Sequence, residues 1–77
     1  SPNWHSDATM NKCTYFLVLD KLNRAKAVDP SVAKEAQKFI NAYSTHTPAA
    51  EDLFFLGYNK GQAITIGGWI NERTTIR

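Results

Sequence analysis

Few residues of this chain carry side chains that could perform chemistry, and no group of them has the sequence spacing of a catalytic motif. Cys13 with His46 or His5 could act as a thiol nucleophile and its base, because a reactive cysteine needs such a neighbour to ionise. No motif places either histidine beside Cys13, and a free cysteine is commonly a buried core residue. The same three residues lack the paired spacing of a zinc site. We therefore predict no catalytic residue, no metal site and no cofactor, and a chain that is not an enzyme.

Adjacent acids and glycines have structural explanations. Glu51 and Asp52 fall in the first turn of a short predicted helix, where carboxylates favour the positive end of the helix dipole. Consecutive helical residues point about 100° apart, so this pair does not face one substrate. Gly57, Gly61 and Gly67-Gly68 lack the strand, loop and Lys-Ser/Thr of a phosphate-binding loop, and we interpret them as turn residues.

Composition and charge indicate one small folded domain. Of the 77 residues, 43% are hydrophobic and 21% charged, which is ordinary for a globular chain. The formal net charge of +2 is too small to indicate a nucleic-acid or membrane partner by itself. No run of about 18 apolar residues could cross a bilayer. Cys13 has no second cysteine with which to form an internal disulfide.

Two long helices form the predicted scaffold. Ser6-Asp7 offers an N-cap for a first helix over about residues 8–28, and Asp29 caps a second helix that starts at Pro30 and ends near Tyr43. Apolar residues recur on one face of each helix with the 3.6-residue period. These faces comprise Tyr15, Val18, Leu19, Leu22 and Ala25 in the first helix and Val32, Ala36, Phe39, Ile40 and Tyr43 in the second. The two helices should pack as an antiparallel hairpin.

The remaining chain predicts a short helix and a β-hairpin. Thr47 can cap a third helix over residues 48–57, which starts at a proline and ends at a glycine. From Gly61 onward the apolar residues follow the period of two that is typical of strands. We predict the turn at Asn71-Glu72, with Gly67-Gly68 inside a bent first strand, although Gly67-Gly68 is also an acceptable turn pair.

These elements predict an α+β fold, in which the β-hairpin packs on the apolar run Leu53–Leu56 because two strands alone are marginally stable. The single domain then comprises an N-terminal arm over residues 1–7, the helical hairpin over 8–45, the short helix and its loop over 46–60, and the β-hairpin over 61–77.

The spacing Val18-x3-Leu22-x2-Ala25-x4-Pro30 resembles the closing half of a tetratricopeptide repeat. Small and medium-sized residues at these intervals let neighbouring helices approach closely. The resemblance implies that the first helix closes a repeat whose opening helix lies upstream of this sequence.

The second helix is similar to the opening helix of a next repeat, through the spacing Ala36-x2-Phe39-Ile40-x2-Tyr43. Ala36 stands where a tryptophan is usual, and Ile40 replaces a glycine. The helix therefore looks like a terminal cap that ends a solenoid. The tail over residues 54–77 is also similar to hairpin tails that close some repeat proteins of Gram-negative bacteria, which points to the cell envelope or periplasm.

Such a family implies a non-enzymatic scaffold that binds a protein or stacks on upstream repeats of its own chain. The segment Cys13–Leu19 supports this because a helix that is apolar nearly all round is covered on more than one side; the alternative is that this segment is a strand. We predict a second apolar face that a preceding repeat covers or that self-associates weakly in isolation. This face comprises Met10, Cys13, Phe16 and Leu17.

Trp69 has two interpretations. It could anchor the β-hairpin on Phe54 and Phe55, because a large ring buries much of a small sheet. Exposed, it would be a candidate contact for a partner, as tryptophan often is in interfaces. A small nucleic-acid-binding module is the alternative function, with phosphate contacts and base stacking around Trp69. The basic residues available are Lys21, Arg24, Lys26, Lys60, Arg73 and Arg77. Acidic residues are interspersed among them, which favours an ordinary solvated surface.

Overall fold

A computed structural model describes residues 3–77; the first two residues of the predicted N-terminal arm lie outside the described part. The predicted α+β class is confirmed, since helices precede one antiparallel two-stranded sheet. The elements are α1 (Ala8–Lys12), α2 (Thr14–Val28), a 3-10 turn (Pro30–Val32), α3 (Ala33–Ser44), α4 (Ala50–Phe55), β1 (Ala63–Ile66) and β2 (Glu72–Thr75).

The predicted first helix is divided at Cys13. Asp7 caps α1 as expected, because its Oδ1 accepts a hydrogen bond from the Met10 N–H at 3.1 Å. At Cys13 the backbone changes to bonds between residues three apart: its N–H donates to the Met10 carbonyl, and its carbonyl accepts from the Phe16 N–H, both at 3.0 Å. This tighter turn separates α1 from α2 without a proline or glycine. The segment Cys13–Leu19 is helical after Cys13 and not a strand.

The helices α2 and α3 form the predicted antiparallel hairpin. Near its open end Tyr15 stacks on Tyr43, and toward the connection Lys26 donates to the Gln37 side chain, so the helices run in opposite directions. The connection follows the predicted chemistry: the Asp29 carboxylate accepts from both the backbone N–H and the hydroxyl of the residue after Pro30. The first three residues of the predicted second helix form the 3-10 turn instead.

Only part of the predicted helix faces is buried. Leu19 and Ala36 are buried, and Phe39 is 45% exposed. The other members of the first face are half-buried: Tyr15, Val18, Leu22 and Ala25. Between Asp20 and Ala36 no residue of the two helices is buried, because here the helices pack mainly on each other and the ion pair to the sheet, Lys21–Glu72, is exposed. The molecule is correspondingly elongated, at 39 × 26 × 20 Å.

The third helix is shorter than predicted and begins at Ala50. The prediction that Thr47 caps it is wrong, since the Thr47 hydroxyl donates back to the Ser44 carbonyl at the end of α3. The end of α4 matches the sequence: Gly57 has a φ of 94°, its N–H donates to the Phe54 carbonyl, and the Tyr58 N–H donates to the Leu53 carbonyl. These bonds form a Schellman motif, which satisfies the last carbonyls of the helix.

The β-hairpin has the predicted strands but a longer connection. Ile64 pairs with Thr74 and Ile66 with Glu72, so that a five-residue loop over 67–71 joins the strands. The predicted two-residue turn at Asn71-Glu72 is therefore wrong, as is the placement of Gly67-Gly68 within the first strand. Trp4 lies against this loop, because a Cβ atom at Gly67 or Gly68 would be in van der Waals contact with its side chain.

One hydrophobic core joins the helices to the β-hairpin. Of the apolar run Leu53–Leu56, only Leu53 is buried beneath the strands. Trp4, Tyr58 and Ile70 pack around the core as half-buried residues. The core consists of Met10, Cys13, Phe16, Leu17, Leu53, Ile64, Ile66 and Ile76.

Candidate protein-binding surfaces

The predicted second face of the first helix exists, but this chain covers it by itself. Met10, Cys13, Phe16 and Leu17 are each at most 7% exposed. The prediction that this face is open in the isolated chain, or covered by a preceding repeat, is therefore wrong. A helix that is apolar all round does need two coverings. Here α3 supplies one of them, and the β-hairpin together with α4 supplies the other.

The two tryptophans of the chain differ in their surroundings. Trp69 is 75% exposed in the loop between the strands, and Phe54 and Phe55 are exposed too, so Trp69 does not anchor the β-hairpin on them. Trp4 is the ring that packs against the core beside Gly67 and Gly68. Trp69 remains accessible to a partner, as the second interpretation of the sequence requires.

The N-terminal arm reaches this position through Asn11 of α1. The Asn11 side-chain oxygen accepts hydrogen bonds from the backbone N–H groups of Trp4, at 3.0 Å, and His5, at 2.9 Å. The His5 Nδ1 accepts from the Asp7 N–H at 2.9 Å, which continues the turn into α1. These bonds orient the Trp4 ring toward the core.

The end of α4 exposes three consecutive apolar residues. Phe54 is 71% exposed, Phe55 is 94% exposed and the adjoining Leu56 is 43% exposed. We call these three residues the α4 apolar end. The Schellman motif at Gly57 and the burial of Leu53 hold α4 in place, so its neighbouring residues must face outward. Four consecutive apolar residues on a short helix cannot all be buried, and this is the sequence signal for the surface.

A second exposed feature is a row of aromatic rings beside the open end of the helical hairpin. Tyr15 stacks between His46 and Tyr43, with ring centroids 5.2 and 6.0 Å apart, and Tyr43 stacks on Phe39 at 6.3 Å. Tyr15 and Tyr43 are half-buried, whereas Phe39 and His46 are exposed. The row crosses the contact between α2 and α3 and ends in the two exposed rings of Phe39 and His46.

The Asp20 carboxylate of α2 bonds to two residues at the end of the β-hairpin. Asp20 accepts a hydrogen bond from the Thr74 hydroxyl at 2.5 Å and forms an ion pair with Arg77. The Arg77 guanidinium also donates to the Phe16 carbonyl at 3.0 Å and lies over the Phe16 ring at 5.9 Å. Charge-assisted bonds of this type are stronger than neutral ones, and they fix the orientation of the sheet on the helix.

Cys13 lies in the core, where burial raises the pKa of its thiol to about 11, with a further contribution from the negative charge of Asp7. Its Sγ lies 3.8 Å from the Thr9 carbonyl. His46 stacks on Tyr15 and His5 bonds to the Asp7 backbone, so neither is hydrogen-bonded to the thiol. The exposed Asp29 carboxyl has a lowered pKa because it accepts hydrogen bonds from Ser31.

Residues 3–77 contain no cluster of three or more His, Cys, Asp or Glu side chains suited to a metal ion, and no pocket. None of the helices described here combines the length and apolar character needed to cross a bilayer.

Comparisons of this chain with protein-family models, with curated proteins and with solved structures found no match. The proposals that follow therefore depend on the geometry of the chain itself.

Proposed function

We propose that this chain is a non-enzymatic protein–protein interaction module that binds its partner through the α4 apolar end. The observation that carries the proposal is the exposure of two adjacent phenylalanines, Phe54 and Phe55, on a helix whose end is fixed by Gly57. Aromatic side chains dominate the binding energy of interfaces when a partner buries them. A rigid element also loses little conformational entropy on binding.

The chemistry of α4 indicates what the partner offers. Glu51 and Asp52 lie in its first turn, next to the exposed rings. A complementary surface would have an apolar pocket for Phe54 and Phe55, with lysine or arginine on its rim. Such charges direct the approach of a partner and disfavour an incorrect one.

The helical hairpin supports a scaffold of the tetratricopeptide type as the setting of this module. Two antiparallel helices meet at Asp29-Pro30, where Val32 of the 3-10 turn is exposed, and Phe39 of α3 is exposed as well. In a solenoid, helices stack on such faces, and a terminal helix covers the last one. We propose that the chain caps a solenoid of this kind, with α3 and its exposed residues in the position of the capping helix.

A photocrosslinking experiment in the source cells tests the binding proposal. Phe55 is replaced by benzoylphenylalanine, and the adducts are identified by mass spectrometry. The control places the same group at Lys34, which is exposed on α3. We expect a discrete protein adduct from position 55 that is absent from position 34. A second substitution, Phe54→Ser, should reduce that adduct at least about tenfold, because losing an interface anchor costs about 2 kcal/mol or more. Identical adducts from both positions would refute the proposal.

A nucleic-acid-binding module is the second candidate, favoured by the exposure of Trp69 in the β-hairpin loop. Part of the basic set is engaged within the chain, since Lys21 pairs with Glu72 at 2.9 Å and Arg77 pairs with Asp20. Quenching of Trp69 fluorescence by a single-stranded oligonucleotide, measured in a Trp4→Phe background, tests this role. Quenching that weakens steeply with salt would support it, and no quenching at low salt would exclude it.

A further inference from the structure

The β-hairpin is a two-stranded sheet, so each strand has one side that the other strand does not cover. A G1 bulge sets its bonding pattern: the Gly61 N–H donates to the Ile76 carbonyl at 2.8 Å, and the Ile76 N–H donates to the Gln62 carbonyl at 2.9 Å. Gly61 has the positive φ of 89° that this bulge requires. Backbone groups alternate in direction along a strand, so those of Ala63 and Thr65 point away from β2.

These outward groups have no hydrogen-bond partner among the described residues outside the sheet. Ala63 and Thr65 are exposed. The other strand is held beside α2, where Thr74 bonds to Asp20, and no helix of the described chain runs along β1 in the same way. We call the side of β1 formed by Ala63 and Thr65 the open edge.

The open edge lacks the devices that normally prevent strands from pairing between molecules. Residues 62–68 contain no charge and no proline. Ile64, Thr65 and Ile66 are β-branched and favour extended structure. When two copies of an uncharged strand pair antiparallel, no like charges face each other across the interface. A two-fold axis then closes the assembly at two molecules.

We propose that β1 pairs antiparallel with β1 of a second copy of this chain, which joins the two hairpins into one four-stranded sheet. The outward N–H and C=O groups of Ala63 and Thr65 bond to the same groups of the second copy. The rows of Ile64 and Ile66 then continue from one core into the other. This surface is separate from the α4 apolar end, so the proposal does not depend on the proposed function.

The exposed area of the chain is compatible with a covered surface. The chain has a solvent-accessible surface of 5304 Å², whereas a compact monomer of this mass exposes about 4,700 Å². A pairing of four-residue strands buries less than a large dimer interface, so association should be weak and dependent on concentration.

Sedimentation equilibrium over a wide range of protein concentration measures this association. We expect the apparent mass to rise from 8.6 kDa toward twice that value. Thr65→Lys and Thr65→Glu should each abolish the rise, because they place like charges near each other across the two-fold axis. An equimolar mixture of the two variants should restore it, and this gain cannot come from misfolding. The matched controls Thr75→Lys and Thr75→Glu change an exposed threonine of β2 and should associate like the unchanged chain.

Amide hydrogen exchange gives a readout at single residues. The Ala63 and Thr65 amides should become protected as concentration rises, whereas the Ile64 and Ile66 amides, which bond within the hairpin, should be protected at every concentration. A constant mass of 8.6 kDa, a variant mixture that stays monomeric, equal effects at Thr65 and Thr75, or outward amides that exchange equally fast at all concentrations would each overturn the proposal.

Discussion

Replacing Leu53 with alanine should remove a large part of the stability of this domain. Leu53 is fully buried between α4 and the strands. The substitution deletes three carbon atoms, which costs about 2.4 kcal/mol at about 0.8 kcal/mol per buried group. The cavity left behind raises the cost to about 3–4 kcal/mol. A domain of 77 residues has a free energy of unfolding of about 4–12 kcal/mol.

Urea unfolding followed by far-UV circular dichroism measures the effect. With a slope of about 1 kcal/mol per molar urea, the midpoint should fall by about 3 M. Two controls lie on the same helix. Leu53→Met conserves volume and should cost less than about 1.5 kcal/mol. Phe55→Ala changes a ring that is 94% exposed and should alter stability by no more than about 0.5 kcal/mol.

The comparison of these variants also tests the orientation of α4. Similar losses for Leu53→Ala and Phe55→Ala would refute the conclusion that Leu53 points inward while Phe55 points outward. A loss below about 1 kcal/mol for Leu53→Ala would show that α4 does not contribute to the core, because full burial requires a larger cost.

Two further predictions concern the thiol and a turn. Stability should fall as pH rises from about 9 to about 11. The unfolded thiol of Cys13 ionises near its ordinary pKa of 9.0, whereas the folded thiol keeps its proton up to a pKa of about 11. The fall in urea midpoint across this pH range should disappear in Cys13→Ala, and a fall of unchanged size would contradict the raised pKa of the thiol. Gly57→Ala should destabilise the domain by about 1–2 kcal/mol, because Gly57 has a φ of 94°. Gly67→Ala is the matched control, with only Trp4 Cε3 at 3.5 Å from the added carbon, and equal urea midpoints for the two variants would contradict the turn assignment.

Local chemistry made two of the helix boundaries predictable. The cap at Asp7 and the break at Asp29-Pro30 depend on residues that bond to their own backbone within three positions. The division at Cys13 could not be predicted, because no glycine or proline marks it and the residue is buried in the assembled core. The class of fold followed from the change in period after Gly61. The resemblance to tetratricopeptide repeats remains a prediction.

The covering of each apolar face was harder to predict than its existence. The pattern around Phe16 and Leu17 showed that both sides of the helix need a partner, but it did not show that the β-hairpin supplies one. Trp4 and Trp69 are equally large and apolar, so sequence cannot decide which of them packs on the core. That depends on Asn11, whose hydrogen bonds place Trp4.

The bonds that Arg77 makes to α2 join parts of the chain that lie far apart in sequence, which has a consequence for folding. Asp20 and Arg77 are separated by 57 positions, and closing a loop of that length costs about 4 kcal/mol of chain entropy. The contacts between α2 and α3 join residues much closer in sequence and form without that cost. We therefore expect the ion pair at Asp20 to form after the transition state for folding. Its removal should then raise the rate at which the native domain opens and change little the rate at which it forms.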